Sequence, residues 1–199
     1  VGVIAVSIAA SIGISLGLIA GYFGGKVYAV IMRFTDALIA VPMILLAMFA
    51  VCLIGGGLKN VMMALGISLV PIYVRVMCSG VLTIKVSDYI MAGYAIGASN
   101  LRIMLQHVLP NSFPPLIVLM TLMMGQAILV EAGLSFLGIG IKPPAAAWGG
   151  MVNDGCRYLL TNPILSFTPG LAIMLVVFAF NMVGDGLRDT LDPRLRGVI

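Results

Sequence analysis

Apolar residues run along this chain in long blocks separated by short polar breaks. Five blocks approach the roughly 20 residues that a membrane-spanning helix needs. They are residues 1–23, 37–54, 61–77, 113–138 and 164–183, with 31–36 as a polar approach to the second. The third block is the most interrupted, because Pro71 and Arg75 fall inside it. Arg75 lies near its expected end, where a long cationic side chain can snorkel to the interface. The pattern predicts an all-α integral membrane protein, a polytopic helical bundle forming one transmembrane domain over 1–199.

One break is different in kind. Residues 78–112 separate the third and fourth blocks and carry their own local signals. Ser87 is placed to N-cap a short helix over 88–95, with Asp88 favourable at its positive end. Gly97 permits a sharp turn. Ser99 or Asn100 then caps a second helix, in which Leu101, Met104, Leu105 and Val108 follow the i, i+3, i+4, i+7 spacing of one apolar face. Arg102 and Gln106 stand on another face, and Pro110 is expected to stop the helix. The insert therefore reads as helix, glycine turn, amphipathic helix and proline stop. Such an organised polar element is a docking surface more readily than a linker.

Composition agrees with the membrane reading. The 199 residues are 61% hydrophobic and 9% charged, with mean hydropathy +1.17 and net charge +4, against about 25% charged in a soluble domain. Five spans put alternate loops on opposite sides. Lys26, Arg33, Arg75, Lys85, Arg102, Arg188, Arg194 and Arg196 share one side; Lys59, Lys142 and Arg157 share the other. The positive-inside rule assigns the first group to the cytoplasm. Residues 78–112 and 184–199 are then cytoplasmic, and 139–163, with Trp148 as an interfacial anchor, face outward. The positive charge belongs to loops and implies no nucleic acid partner. The chain starts at Val1 without a basic leader segment and looks like the edge of a longer protein.

Catalytic chemistry is poorly provided for. Cys52, Cys78 and Cys156 are scattered, and His107 is the single histidine, so neither a metal motif nor a nucleophile–base set is visible. Gly25-Lys26 resembles the end of a phosphate loop, but Ala20 and Val27 occupy the positions where Gly and Ser/Thr are required. Met120, Met123 and Met124 at helical spacing fit flexible packing better than a soft-metal site. Polar residues inside spans are functional candidates: Gln126, Glu131 and Asn181 for a polar passage, with hydrogen bonding to a neighbouring helix or loop end as the plainer role of Glu131. Asp36 pairs by spacing with Arg33. In the first block Ala5, Ala9, Gly13, Gly17, Gly21 and Gly25 recur every fourth residue. That small-residue stripe lets another helix approach closely, within this chain or from a second subunit.

The insert resembles the signature of permease subunits of binding-protein-dependent ABC importers: Glu-Ala-Ala, three residues, Gly, nine residues, Ile, one residue, Leu-Pro. Ala92, Gly97, Leu109 and Pro110 match in register, while Met91 replaces the Glu, Gly93 the second Ala and His107 the Ile. The similarity extends through GLIAGYFGG (17–25), MRFTDALIAVP (32–42), DYIMAGYAIGAS (88–99), EAGLSFLGIGIKPPAAAWGGMVNDG (131–155) and FNMVGDGLRDTLDPRLR (180–196). These segments are similar to the dipeptide, oligopeptide and nickel permeases whose chains end in Asp-Pro-Arg-Leu-Arg.

The resemblance implies a type I importer fold with a second homologous permease, two cytoplasmic ATPases and an extracytoplasmic solute-binding protein as partners. ATP and Mg would reside in the ATPases, with no cofactor on this chain. It implies a bacterial or archaeal inner-membrane location, and a six-span family pattern of which this chain lacks the first span. Asp88, Tyr89, Met91, Ala92, Gly93, Gly97, Ser99, Arg102, His107, Leu109 and Pro110 would form the ATPase-coupling region. The absent acid at Met91, and Cys78 where relatives often carry a second Arg, would weaken that coupling. Peptides are the expected solute; nickel or a metal chelate is the alternative within the same architecture. A secondary transporter or channel would need paired intramembrane charges or interrupted helices repeated in two halves, and neither is visible. A membrane scaffold without an ATPase partner is the remaining class.

Overall fold

The glycine stripe decides how the bundle is assembled. The structure, a computed structural model, describes residues 1–191; the Asp-Pro-Arg-Leu-Arg segment, Arg194 and Arg196 among it, lies outside the described residues. Helix α1 (Gly2–Phe23) lies along α4 (Leu58–Lys85). A β-carbon on Gly13 would meet Tyr73 Cβ at 2.5 Å, one on Gly17 would meet Val74 O at 2.6 Å, and one on Gly21 would meet Val81 Cβ at 2.8 Å. Gly66 of α4 returns the arrangement, receiving Ile8 of α1. The matched order of these contacts makes the two helices parallel. Tyr73, Leu65, Met77, Val6 and Val81 are fully buried along the seam. The stripe thus packs within this chain.

Gly25 does not join that seam. Gly24 and Gly25 both have positive φ (67° and 51°), which ends α1 and turns the chain into α2 (Gly25–Ile39). A β-carbon at Gly25 would meet nothing within 4 Å. Residues 31–36 are therefore helix, not an approach to one. A stripe in the sequence signals it: Val27, Ile31, Phe34 and Leu38 fall at helical spacing. The second expected block is split between α2 and α3 (Met43–Ile54), which are bent by 94°. Pro42 lies at the break. It has no N–H, and its ring disfavours helical backbone at Val41. One interrupted helix is thus present where none was expected.

The third block is the opposite case. Pro71 does not break it, and α4 continues eight residues beyond Met77 to Lys85, giving a helix about 42 Å long at 1.5 Å per residue. Packing of a buried proline against neighbouring helices offsets its missing bond. Arg75 consequently lies well inside α4 and not near its end. There it pairs with Asp36 of α2 at 2.5 Å, so Asp36 takes its partner from another helix instead of Arg33. The pair is half-exposed on both sides.

Beyond the insert, α8 (Pro114–Phe136) covers the fourth block, and α10 (Ile164–Leu191) covers the fifth and continues past it. The short α9 (Trp148–Cys156) packs between them. Gly155 lies tight against Leu165 and Ser166, and Ser166 Oγ donates to Val152 O at 3.2 Å. Gly184 of α10 seats against Thr121 and Leu122 of α8. Among the described residues four helices are long and apolar enough to span a membrane, and the bent pair α2–α3 makes a fifth when its two helices count as one span. No strand occurs among the described residues.

Candidate functional site

The insert is built as a capped, outward-facing element on the end of the α1–α4 seam. Its first helix is α5 (Asp88–Ala95). Ser87 holds the N-cap position with extended backbone, and its carbonyl accepts from the amides of Ile90 and Met91 at 3.0 and 3.2 Å. Its hydroxyl does not cap; it donates back to Ile84 O at 2.6 Å and ties α5 to the end of α4. Asp88 occupies the first turn, where the helix dipole favours a carboxylate. The helix closes on Gly97, whose φ of 82° suits glycine. Ala98 N donates to Gly93 O at 3.1 Å and Gly97 N to Tyr94 O at 3.0 Å, the two bonds of a Schellman cap.

The second helix departs from the expected register. It begins as α6 (Asn100–Ile103), with Ser99 Oγ accepting from Arg102 N at 3.4 Å, and Arg102 Nε donates to Gln106 Oε1 at 3.1 Å. It then widens into a π-helical turn over Met104–Val108, in which Leu109 N reaches back five residues to Met104 O. It continues as α7 (Leu109–Ser112), so Pro110 does not stop it. Proline clashes with the carbonyl four residues earlier. Here that carbonyl is Gln106, inside the wide turn.

Widening also moves the buried face. Ile103 and Val108, five residues apart, are both 0% exposed, whereas Leu101 and Leu105 of the expected face are 62% and 45% exposed. Met104 and Leu109 pack partly against the core. Ser112 is buried, donates to Val108 O at 2.9 Å, and sits over Gly80 of α4.

α5 has one buried anchor, Ile90, while Gly93 faces Ile103 at ordinary contact distance. Asp88, Tyr89, Met91 and Ala92 are exposed, as are Ile96 and Leu101 beyond them. Arg102, His107 and Pro110 are exposed as well; His107 O accepts from Asn111 Nδ2 at 2.6 Å. The result is an apolar outer surface with charges beside it. Contiguous exposed apolar patches mark protein or membrane interaction sites.

A tyrosine at the end of α1 is hydrogen-bonded to this element, and the sequence pattern did not single it out. Tyr22 is 4% exposed. Its hydroxyl donates to Asn100 Oδ1 at 3.2 Å and lies 2.7 Å from Tyr94 Oη. With its one proton directed at Asn100, Tyr22 accepts from Tyr94. Lys85 donates to Tyr22 O, and its ammonium lies 5.5 Å from the centre of the same ring. The negative end of α1 thereby gains a cation.

The three intramembrane polar residues do not converge. Gln126 lines a cavity of about 280 Å³ beside the α2–α3 break, with Ser68, Leu69, Pro71 and Val41. Glu131 is buried; Ser135 Oγ donates to it at 2.6 Å and accepts from Ile141 N at 3.1 Å, which fixes the segment after α8. The bond to Glu131 stays within α8, whereas the plainer expectation was a neighbouring helix or loop end, and Glu131 also borders a separate cavity of about 410 Å³ with Trp148. Asn181 lines a shallow depression with Met174, Val177 and Phe178. Among the described residues no group of three or more His, Cys, Asp or Glu side chains is placed to hold a metal.

A family profile described as the binding-protein-dependent transport system inner membrane component matches residues 13–197. The chain belongs to this family.

Its relatives narrow the branch. The chain is 45% identical over 196 residues to the dipeptide transport system permease protein DppC of Alkalihalophilus pseudofirmus, covering 98% of this chain and 64% of that protein. It is 43% identical over 196 residues to the glutathione transport system permease protein GsiD of Escherichia coli O6:K15:H31, covering 98% and 65%. The chain thus spans just under two thirds of the length of the curated relatives it matches. A solved chain of the MetNI methionine ABC transporter, in inward-facing conformations, shares the fold at a TM-score of 0.74 with 19% identity, covering 94% of this chain and 89% of that one. In this chain the residues that match the family signature fall on the insert. Ala92 is exposed on α5, Gly97 forms the cap that ends it, and Leu109-Pro110 follows the π turn. Met91, at the acid position, is 63% exposed.

Proposed function

We propose that this chain is the permease subunit of an ATP-driven importer of peptides, forming half of a translocation path and coupled to a cytoplasmic ATPase through residues 88–110. The insert carries this reading. It is a short capped helix with one buried anchor, an outer face of Tyr89, Met91, Ala92 and Ile96, and a hydrogen-bonded seat on the bundle. A rigid apolar element of this kind fits a groove on a partner, and its displacement moves the helices that hold it. The permeases of dipeptide and glutathione systems among its relatives favour a peptide solute over nickel or a metal chelate.

The assembly follows from the same reading: a second homologous permease, two ATPases that bind ATP and Mg, and a solute-binding protein outside, in a bacterial or archaeal inner membrane. The sparse burial of α10, with 6% of its apolar window inside the bundle, supports a surface covered by lipid or by the second permease. Gln126 beside the α2–α3 break is the path residue best placed to meet a polar solute, since broken helices line midplane sites in other transporters. The test is Ala92→Arg in the assembled importer. Co-purified ATPase and peptide uptake fall at least about tenfold, the loss expected from about 1.4 kcal/mol of lost binding, while the amount of permease in the membrane is unchanged. Wild-type assembly and uptake would sink the coupling role.

A further inference from the structure

We infer that Tyr22 is a positioning residue that ties the insert to the end of α1, so that movement of α5 is delivered to the α1–α4 seam as well as along the chain. The inference deepens the transport reading above and rests on it for its functional half.

Two routes lead from α5 into the bundle. The covalent route enters α4 through Val86 and Ser87 and leaves toward α8 through α6, the π turn and α7. The first junction is short and carries one side-chain bond, from Ser87 Oγ to Ile84 O at 2.6 Å. The second contains the π turn, where the helical ladder is reset by one residue. The non-covalent route runs through Tyr22. Its hydroxyl meets Tyr94 on the last turn of α5 and Asn100 at the start of α6, on both sides of the Gly97 turn. Its carbonyl and ring meet Lys85 at the end of α4. One buried side chain therefore links the ends of α1 and α4 to both helices of the insert.

Geometry makes this link stiff. Tyr22 follows Gly21 directly, and Gly21 lies against Val81 and Cys78 of α4 without room for a β-carbon. The ring cannot shift along α1 without disturbing the glycine seam. A tyrosine also has few rotatable bonds, so a push on Tyr94 or Asn100 is not absorbed by side-chain freedom as it would be by a lysine. The hydroxyl makes the hydrogen bonds to the insert, so removing that oxygen separates the linkage from the packing of the ring.

The experiment uses Tyr22→Phe and Tyr94→Phe in the full chain, alone and in the assembled importer. In the full chain without partners, amide hydrogen exchange over residues 88–100 rises about two- to tenfold, as loss of one net hydrogen bond dictates, while exchange in α8 and α10 stays unchanged. Unchanged exchange over 88–100 in both variants overturns the linkage, whether or not any ATPase binds. In the assembled importer, peptide transported per ATP hydrolysed falls at least about threefold. A merely structural role would lower transport and hydrolysis together and leave that ratio fixed. A fixed ratio in both variants overturns the delivery of motion. Failure of the wild-type chain to assemble with an ATPase contradicts the transport reading instead, and the exchange result still decides the linkage.

Discussion

The α1–α4 seam and the α5–α7 insert are made from similar small and apolar residues, yet they use them in opposite ways. In the seam, glycine is chosen for what it lacks: Gly13, Gly17 and Gly21 leave space that the neighbouring helix fills. In the insert, Gly97 is chosen for its backbone conformation, and a β-carbon there would meet nothing within 4 Å. The seam buries Tyr73, Met77 and Val81 completely; α5 buries Ile90 and leaves Tyr89, Met91 and Ile96 outside. The contrast separates a closely packed body from a part whose apolar face stays exposed.

Substitutions can break each side of that contrast separately. The largest effect is expected at the seam. Gly17→Leu adds a side chain where a β-carbon alone would lie 2.6 Å from Val74 O and 2.8 Å from Met77 Cβ. Overpacking of this kind costs about 3 kcal/mol. Thermal unfolding in detergent should show a large loss of stability and membrane yield should fall. A stable Gly17→Leu protein would mean that α1 and α4 do not pack this way.

An intermediate effect is expected at the turn. Gly97→Val forces a β-branched residue into a left-handed conformation at roughly 1–2 kcal/mol, without touching the seam. The melting temperature should change little, whereas ATPase co-purification drops several-fold. If stability and assembly fell in parallel, the insert would be part of the body and not a separate docking element.

The smallest effect sharpens the boundary between the two regions. A β-carbon on Gly93 would sit 3.7 Å from Ile103 Cδ1, an ordinary contact. Gly93→Ala should therefore be tolerated, and gains about 1 kcal/mol of helix propensity. Melting and uptake at or slightly above wild type are expected; a clear loss would place Gly93 in a tighter contact than the structure shows.

Local signals in the sequence located most of the insert. Ser87, Asp88, Gly97 and Ser99 act within a few residues of themselves, so helix, turn and helix were legible. What failed depends on distance or on register. Tyr22 meets Tyr94 across 72 residues, and nothing in either neighbourhood announces the partner. Asp36 bonds Arg75 of α4, 39 residues away, rather than the nearby Arg33. The buried face of the second helix is Ile103 and Val108, an i, i+5 pair that a 3.6-residue period does not contain. The two prolines show the same limit: Pro42 marks a 94° break while Pro71 lies inside an unbroken helix.

Cysteine scanning of α5 tests the central claim most directly, that the outer face of this helix seats in an ATPase groove. Single cysteines at positions 88–97 are placed in a chain whose Cys52, Cys78 and Cys156 are replaced by Ala, and cross-linking to the ATPase is measured in the assembled importer. Tyr89→Cys, Met91→Cys, Ala92→Cys and Ile96→Cys are predicted to cross-link, while Ile90→Cys and Gly93→Cys are not. Cross-linking at Ile90→Cys equal to that at Met91→Cys, or at none of the exposed positions, would contradict the account.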